Sequence, residues 1–512
     1  MPAPSERPSP GWRGHLLALL SGALAPLAFA PFHLWPLALV SCLGLIHCLQ
    51  GQKPGAAAFR GWLYGVGFYG VGVSWVFVSI HRFGNAPVWL AGFLTLLFVA
   101  GIALFFALHA FAYRRLVPAH RLGLLLGFPA LWVLAEWFRS WFLTGFPWLY
   151  LGYAPLDTWL AGWAPVSGIY SLSFLVALAA SALYLLPRYS CPRRRLGLLA
   201  LATLPLLGGA LLQQVQWTSP TQSPPLRVAL VQGNVPQALK WDPRYRQRII
   251  HTYQNLSRDH LDKDLLVWPE TALPNLLHRA RPALARFEEQ LTASGTALIT
   301  GVPTVEATAE RPRYYNAIAA LGAAEGIYHK QRLVPFGEYV PLESLLRGLI
   351  DFFDLPMSNF SLGADDQPLL HLTEGTQVAA SVCYEVVYPD LIARSSREAG
   401  LLLTVSNDSW FGDSLAPHQH LQMARMRALE NGRFMIRSTN NGISALIGPD
   451  GQIQAQGPQF KAAVLEGEVQ PYQGSTPFAR WGSLPVLAGC ALLLAGLTAL
   501  PRARRARCSA LS

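Results

Sequence analysis

Negative charge is almost missing from the first 217 residues of this 512-residue chain: Glu6, Glu136 and Asp157 carry it, and the other 26 of the 29 acids fall between 218 and 480. Charged residues make up only 13% of the whole, against 52% hydrophobic. So little charge excludes an ordinary soluble protein of this size, and the segregation of the acids separates an apolar environment from an aqueous one. Absent motifs exclude more. Between 218 and 480 there is no H-E-x-x-H, no pair of cysteines, no G-x-S-x-G and no Walker A pattern, and His418 and His420 stand two apart, which on a helix points them to different faces. No metal and no cofactor is expected. Nor is nucleic acid, because the net charge of +11 comes from 17 bases against 3 acids outside 218–480, while inside that stretch 23 bases meet 26 acids.

What is there is apolar sequence in long runs. Stretches able to cross about 30 Å of hydrocarbon lie near 14–31, 34–49, 57–80, 87–113, 122–141, 158–186, 196–216 and 482–500, which predicts about eight helices. Arg7 and Arg13, Lys53 and Arg60, Arg114 with Arg115 and Arg121, Arg188 with Arg193, Arg194 and Arg195, and Arg502 with Arg504, Arg505 and Arg507 mark every second connection. All five clusters fall on the cytoplasmic side if both termini are cytoplasmic, which puts the 218–480 domain on the opposite, extracytoplasmic face. Arg7, Arg13 and the Ala28-Phe29-Ala30 that follows the first run imitate a secretory signal, but the next apolar segment comes almost at once and an uncleaved first span is expected.

Two features inside the spans invite a functional reading and receive a structural one. Gly65-Val66-Gly67-Phe68-Tyr69-Gly70 matches the dinucleotide pattern, yet it lies within a span, follows no strand and has no acid about twenty residues on. With Gly61 it reads as a small-residue face for close helix packing. Glu136 and Arg139, one helical turn apart, are expected to form an ion pair.

From 218 to 480 the pattern changes to short β-type runs at 226–231, 265–268, 297–302, 316–321, 378–382, 401–405 and 444–447, with helical segments at 243–259, 282–294 and 418–434 between them. A layered α/β domain follows, of a size that buries one core. The expected organisation is therefore 1–217 as transmembrane helices one to seven, 218–480 as the extracytoplasmic domain and 481–512 as helix eight with a basic tail, tethered through 222–225 and 472–477.

That domain holds a single cysteine, Cys383, in Ser381-Val382-Cys383-Tyr384-Glu385, so it cannot form a disulfide there. A lone cysteine is usually a small buried hydrophobe. Two other strand-to-turn segments argue for chemistry: Val267-Trp268-Pro269-Glu270, and Lys330-Gln331-Arg332-Leu333-Val334-Pro335-Phe336-Gly337-Glu338. A carboxylate takes a thiol proton, while an ammonium favours thiolate and neutralises the oxyanion of a tetrahedral intermediate.

These three segments resemble the nitrilase superfamily, whose Glu-Lys-Cys triad sits on an αββα sandwich. Combined with the flanking spans, and with Leu143 to Trp148, Val231 to Gln237, Lys240-Trp241, Ser406 to Gly412, Met423 to Ala428 and Arg437 to Gly442, the chain is similar over nearly its whole length to the membrane-bound branch of apolipoprotein N-acyltransferases. The resemblance implies an αββα domain on a helical transmembrane bundle in the bacterial inner membrane, with the catalytic domain periplasmic and the protein a monomer among membrane lipids. It implies a two-step acyl transfer: Cys383 takes an acyl chain from a phospholipid as a thioester, and the α-amine of a diacylglyceryl-modified apolipoprotein accepts it. Glu270 is then the base and Lys330 the oxyanion stabiliser that also lowers the thiol pKa. Glu338 and Glu385 support Lys330 or the proton transfers, although for Glu385 a bond to nearby backbone turns is an equal alternative, and the Tyr384 N–H is a further oxyanion donor. A thioester needs an apolar cover, for which Trp241, Phe146, Trp148 and the 345–356 segment with Phe352 and Phe353 are expected. The rivals are a membrane-anchored amidase, for which eight helices are excessive, and a transporter with a regulatory domain, for which the spans carry too few polar residues.

Overall fold

A computed structural model describes residues 11–307, 312–335, 337–339, 360–372 and 375–509, except the side chains of Thr144 and 500–509. The chain divides into two compact units: one of Met1–His81, Ala86–Val215 and Ser483–Ser512, the other of Arg82–Asn85 and Gln216–Gly482.

The first unit is helical. Its helices include Gly11–Leu24, Pro36–Leu49, Pro54–Gly72, Val88–Ile102, Leu104–Leu116, Phe128–Trp141, Ala164–Leu185, Pro192–Leu212 and Leu484–Ser509. Each of the eight apolar runs contains helix, but their lengths differ. By length and composition Val88–Leu116, Trp159–Arg188 and Pro192–Leu212 each suffice to cross a membrane, and Pro54–Gly72 with Val76–Phe83 makes a fourth that bends by 62°. Pro36–Leu49 and the apolar part of the last helix, Leu484–Ala499, are shorter. Proline sets some of these limits: Pro26 lies in the 3-10 turn that ends the first helix, and Pro36 opens the second.

The glycine pattern lies within the helix Pro54–Gly72 and is a packing face. A Cβ on Gly67 would stand 2.1 Å from the Leu19 carbonyl oxygen, and one on Gly22 would stand 1.9 Å from that of Tyr64, so the first and third helices touch backbone to backbone. The expected Glu136–Arg139 ion pair is not formed. Glu136 Oε1 instead accepts from Trp132 Nε1 at 3.0 Å and the Leu151 N–H at 2.7 Å, and Arg139 donates to the carbonyls of Phe146 at 2.8 Å and Trp148 at 2.6 Å. The reason is the irregular backbone at 142–153, whose polar groups have no helical partners and must find side chains in apolar surroundings.

The second unit is an αββα sandwich. Its strands are β1 Thr218–Pro220, β2 Leu226–Gln232, β3 Leu265–Trp268, β4 Ala297–Glu306, β5 Arg313–Gly322, β6 Ala324–Glu325, β7 Ile327–His329, β8 Leu370–Leu372, β9 Gln377–Val382, β10 Leu401–Ser406, β11 Met435–Thr439, β12 Ala445–Ile447, β13 Ile453–Gln456, β14 Ala463–Val469 and β15 Tyr472–Gly474. One sheet runs β14-β2-β3-β4-β5-β7 and the other β13-β12-β11-β10-β9-β8-β6, while β1 pairs with β15. At the centre of each sheet three strands are parallel, β2-β3-β4 in one and β9-β10-β11 in the other. Alternation along them fills the space between the sheets with Val228, Leu230, Val267 and Ile299 from the first and Val378, Val382, Leu403 and Ile436 from the second. The intervening positions, Val231, Leu266, Trp268 and Leu298, face the helices Arg246–Ser257 and Leu277–Ser294 through Tyr253, Leu284 and Phe287. Helices Pro389–Ser396 and Ala416–Asn431 pack on the second sheet. The parallel strands end at Trp268, Val382 and Ser406, and the residues that follow gather at one rim.

Gly67→Leu is expected to cost roughly 1–3 kcal/mol by overpacking and to lower the melting temperature of the detergent-solubilised protein. Gly92→Leu, where nothing lies within 4 Å of the added Cβ, leaves it unchanged. Equal melting of the two variants contradicts the close packing of the first and third helices.

Candidate active site

Four elements of the sandwich bring the predicted triad together. Glu270 follows β3, and a Cβ on Gly301 of β4 would stand 2.6 Å from the Glu270 Cα, so the strand beside it admits this turn only because residue 301 has no side chain. Glu270 Oε1 accepts from Asn316 Nδ2 at 2.8 Å, and Oε2 from the Asn407 N–H at 2.9 Å. Lys330 follows β7, its backbone N–H donating to the Asn316 carbonyl at 2.9 Å. Its ammonium, 1% exposed, stands 2.8 Å from Glu338 Oε2 and 3.7 Å from Glu270 Oε1. Burial opposes the charge on Lys330, but the two carboxylates outweigh it and hold the pKa above the usual lysine value.

Cys383 follows β9 with φ +52°, in the left-handed region that a cysteine seldom occupies. Glu385 holds it there. Its carboxylate accepts from the backbone N–H groups of Val382 at 2.7 Å, Gln331 at 2.5 Å and Arg332 at 3.0 Å, and from Tyr328 Oη at 3.0 Å. One side chain thus ties the turn of Cys383 to the loop of Lys330, which is the backbone-bonding alternative for Glu385. Burial pushes the Glu385 pKa up to about 7 against the opposing pull of Lys330 and these donors. The Cys383 thiol is raised above its ordinary value, first by burial and then by the charge of Glu270, with Lys330 pulling the other way. The lowering expected from Lys330 is present but does not win. The raised pKa favours the thiol over the thiolate.

The other expected residues are distributed. Glu338 lies beside Lys330, its Oε2 accepting from the Val334 N–H at 2.8 Å and Oε1 from Asn316 Nδ2 at 2.7 Å. Tyr384 is buried, edge-on to Tyr388 at 5.5 Å. Trp241 is half-buried and directly follows the helix Gln237–Lys240. Phe146 and Trp148 belong to the helical unit, stacked on each other at 6.1 Å with Trp75 tilted 5.3 Å from Trp148. Phe352, Phe353 and the rest of 345–356 lie outside the described residues.

Two side chains of the site were given no role by the motif reading. Asn316 donates to both Glu270 and Glu338, and an asparagine at the head of the apolar run of β5 was the available signal. Lys240, also 1% exposed, donates to the Glu270 carbonyl at 2.9 Å, and burial brings its pKa down to about 8 despite the pull of Glu270 and Cys383.

The signs of these fields are testable through alkylation of Cys383. In the wild type, iodoacetamide labelling of the Cys383 peptide is expected to rise only at pH above the ordinary thiol range. Glu270→Gln removes a negative neighbour and shifts the profile to lower pH, whereas Lys330→Met shifts it to higher pH. Shifts of the opposite sign contradict the assignment of these neighbours to the thiol.

Residues 21–182 match the family described as Apolipoprotein N-acyltransferase N-terminal domain, and 227–477 match Carbon-nitrogen hydrolase. Among solved structures, an amidase from Nesterenkonia sp. is 18% identical with a TM-score of 0.35, over 53% of this chain and 98% of that chain. An apolipoprotein N-acyltransferase from Azotobacter vinelandii is 52% identical over 96% of this chain and 96% of its own length. One from Pseudomonas aeruginosa is 51% identical over 97% and 98%. This chain belongs to the apolipoprotein N-acyltransferase family.

Proposed function

We propose that the protein moves an acyl chain from a phospholipid to the N-terminal α-amine of diacylglyceryl-modified apolipoproteins through a thioester on Cys383. The observation that carries this reading is the convergence of a thiol, a carboxylate and a paired ammonium at one rim of the sandwich. Cys383 Sγ attacks the ester carbonyl while its proton passes to Glu270. The ester C–O bond breaks, Glu270 returns the proton to the departing glycerol oxygen, and the acyl chain remains on sulfur. The amine then attacks the thioester, gives its proton to Glu270 and displaces thiolate, which recovers that proton. An amide is the stable product, so the second step runs downhill.

Lys330 neutralises the oxyanion in both tetrahedral intermediates, with the Tyr384 N–H as a further donor. Glu338 and Asn316 position Lys330 and Glu270, and Glu385 holds the nucleophile's turn. Trp241, Phe146, Trp148, Phe352 and Phe353 admit and cover the acyl chains. The basic clusters support a topology with both termini in the cytoplasm, residues 218–480 in the periplasm, and 1–217 and 481–512 in and about the inner membrane. The working unit is a monomer surrounded by membrane lipid, and no cofactor is required.

Incubation of the detergent-solubilised protein with phospholipid carrying a labelled acyl chain is expected to give covalent, hydroxylamine-labile label on the wild type and none on Cys383→Ala. A diacylglyceryl-cysteine peptide added as a chase moves the label onto the peptide as an amide. Release as free fatty acid at the same rate would make the protein a hydrolase and refute the transfer.

A further inference from the structure

A polar cluster under the nucleophile takes no part in the steps above. Ser406, the last residue of β10, places its Oγ 3.3 Å from Cys383 Sγ and 2.7 Å from Asp408 Oδ1. Asp408 Oδ2 accepts from Arg437 at 2.7 Å, and Asp408, Arg437 and His420 are at most 1% exposed. Burial works against the charge on Asp408, but the Arg437 guanidinium, helped by the Ser406 hydroxyl, outweighs it and holds the carboxyl well below the usual range, so it stays ionised.

The bonding of His420 follows from which atoms can only donate or only accept. Its Nε2 stands 3.1 Å from the Cys383 carbonyl oxygen, an acceptor, so Nε2 carries the hydrogen. Its Nδ1 stands 3.2 Å both from an Arg437 nitrogen, a donor, and from Asp408 Oδ1, an acceptor, and a neutral ring with its hydrogen on Nε2 accepts from Arg437. Burial, reinforced by Arg437, lowers the His420 pKa and keeps the ring neutral. The nearby Asp408 Oδ1 is then served by Ser406 rather than by His420. Ser406 has one hydrogen and two neighbours for it, one always anionic and the other anionic only during reaction.

We propose that Ser406 is a switchable donor to the catalytic sulfur, giving its hydrogen to Asp408 at rest and turning it to Sγ whenever the sulfur carries negative charge. That happens twice, as the thiol proton leaves for Glu270 and as the C–S bond breaks with its electron pair passing to sulfur. The Ser406 proton stays on Oγ throughout. Asp408 tolerates the loss because Arg437 still holds it, and His420 fixes the Cys383 carbonyl while the sulfur changes charge. The proposal rests on Cys383 as the nucleophile, but its test reads the thiol directly and so fails separately from the acyl-transfer reading.

The test is the pH dependence of Cys383 alkylation by iodoacetamide in the full-length solubilised protein, followed on the Cys383 peptide by mass spectrometry. The charged groups facing that sulfur are Glu270, Lys330, Lys240 and Asp408. S406A is expected to raise the apparent thiol pKa by roughly one to two units, the fold-change of one hydrogen bond to a charged group, and S406T to restore the wild-type profile. D408N is expected to lower it, since it removes a negative neighbour and frees the hydroxyl. A packing role alone would not move the two variants in opposite directions. Coincident wild-type, S406A and S406T profiles, or an upward shift in D408N, overturn the proposal. Should S406A fail to fold, S406G replaces it, with the same upward shift expected and a profile coincident with the wild type overturning the proposal.

Discussion

The ammonium of Lys330 is the constraint on which the site depends. Burying one cation costs several kcal/mol unless opposite charge surrounds it, and here two carboxylates do so, Glu338 at 2.8 Å and Glu270 at 3.7 Å. The carboxylates in turn repel one another. Asn316 relieves this by donating to both, and the orientation of its amide is fixed because both neighbours only accept. The turn after β3, the loop after β7 and the strand β5 are locked into one electrostatic unit. Loss of either counter-charge would leave the other members uncompensated in a place that water scarcely reaches.

Against that unit stands a cysteine in a backbone conformation it would not choose. A φ of +52° at a non-glycine residue costs of order 1–3 kcal/mol, and the four hydrogen bonds accepted by Glu385 supply the restraint. The turn exposes the sulfur to Glu270 and Ser406 while its carbonyl is held by His420. A raised thiol pKa suits this arrangement. In the proposed mechanism Cys383 then keeps its proton until a substrate and Glu270 act together.

The sequence made the triad legible because each member sits in a short, locally distinctive turn at the end of an apolar strand. A layered α/β domain was legible for a related reason, since strand-length apolar runs alternate with helical segments between 218 and 480, while its αββα form followed from the resemblance to the nitrilase superfamily. Partners brought together only by tertiary packing were not. Asn316 lies 46 residues from Glu270, and Arg437 lies 29 from Asp408, so no local pattern joins them. The same reason explains the mistaken pairing of Glu136 with Arg139. Helical spacing permitted it, but the needs of the backbone at 146–151 took priority. The apolar runs likewise did not reveal that one of them, within 57–80, would bend by 62° where its helix breaks after Gly72.

Two chemically different substrates meeting one sulfur in turn is the central claim, and steady-state kinetics addresses it directly. Initial rates measured with phospholipid and diacylglyceryl-cysteine peptide both varied are expected to give parallel double-reciprocal lines, the mark of a covalent intermediate formed before the acceptor binds. Intersecting lines would require both substrates on the enzyme together and would contradict transfer by way of a free acyl-enzyme.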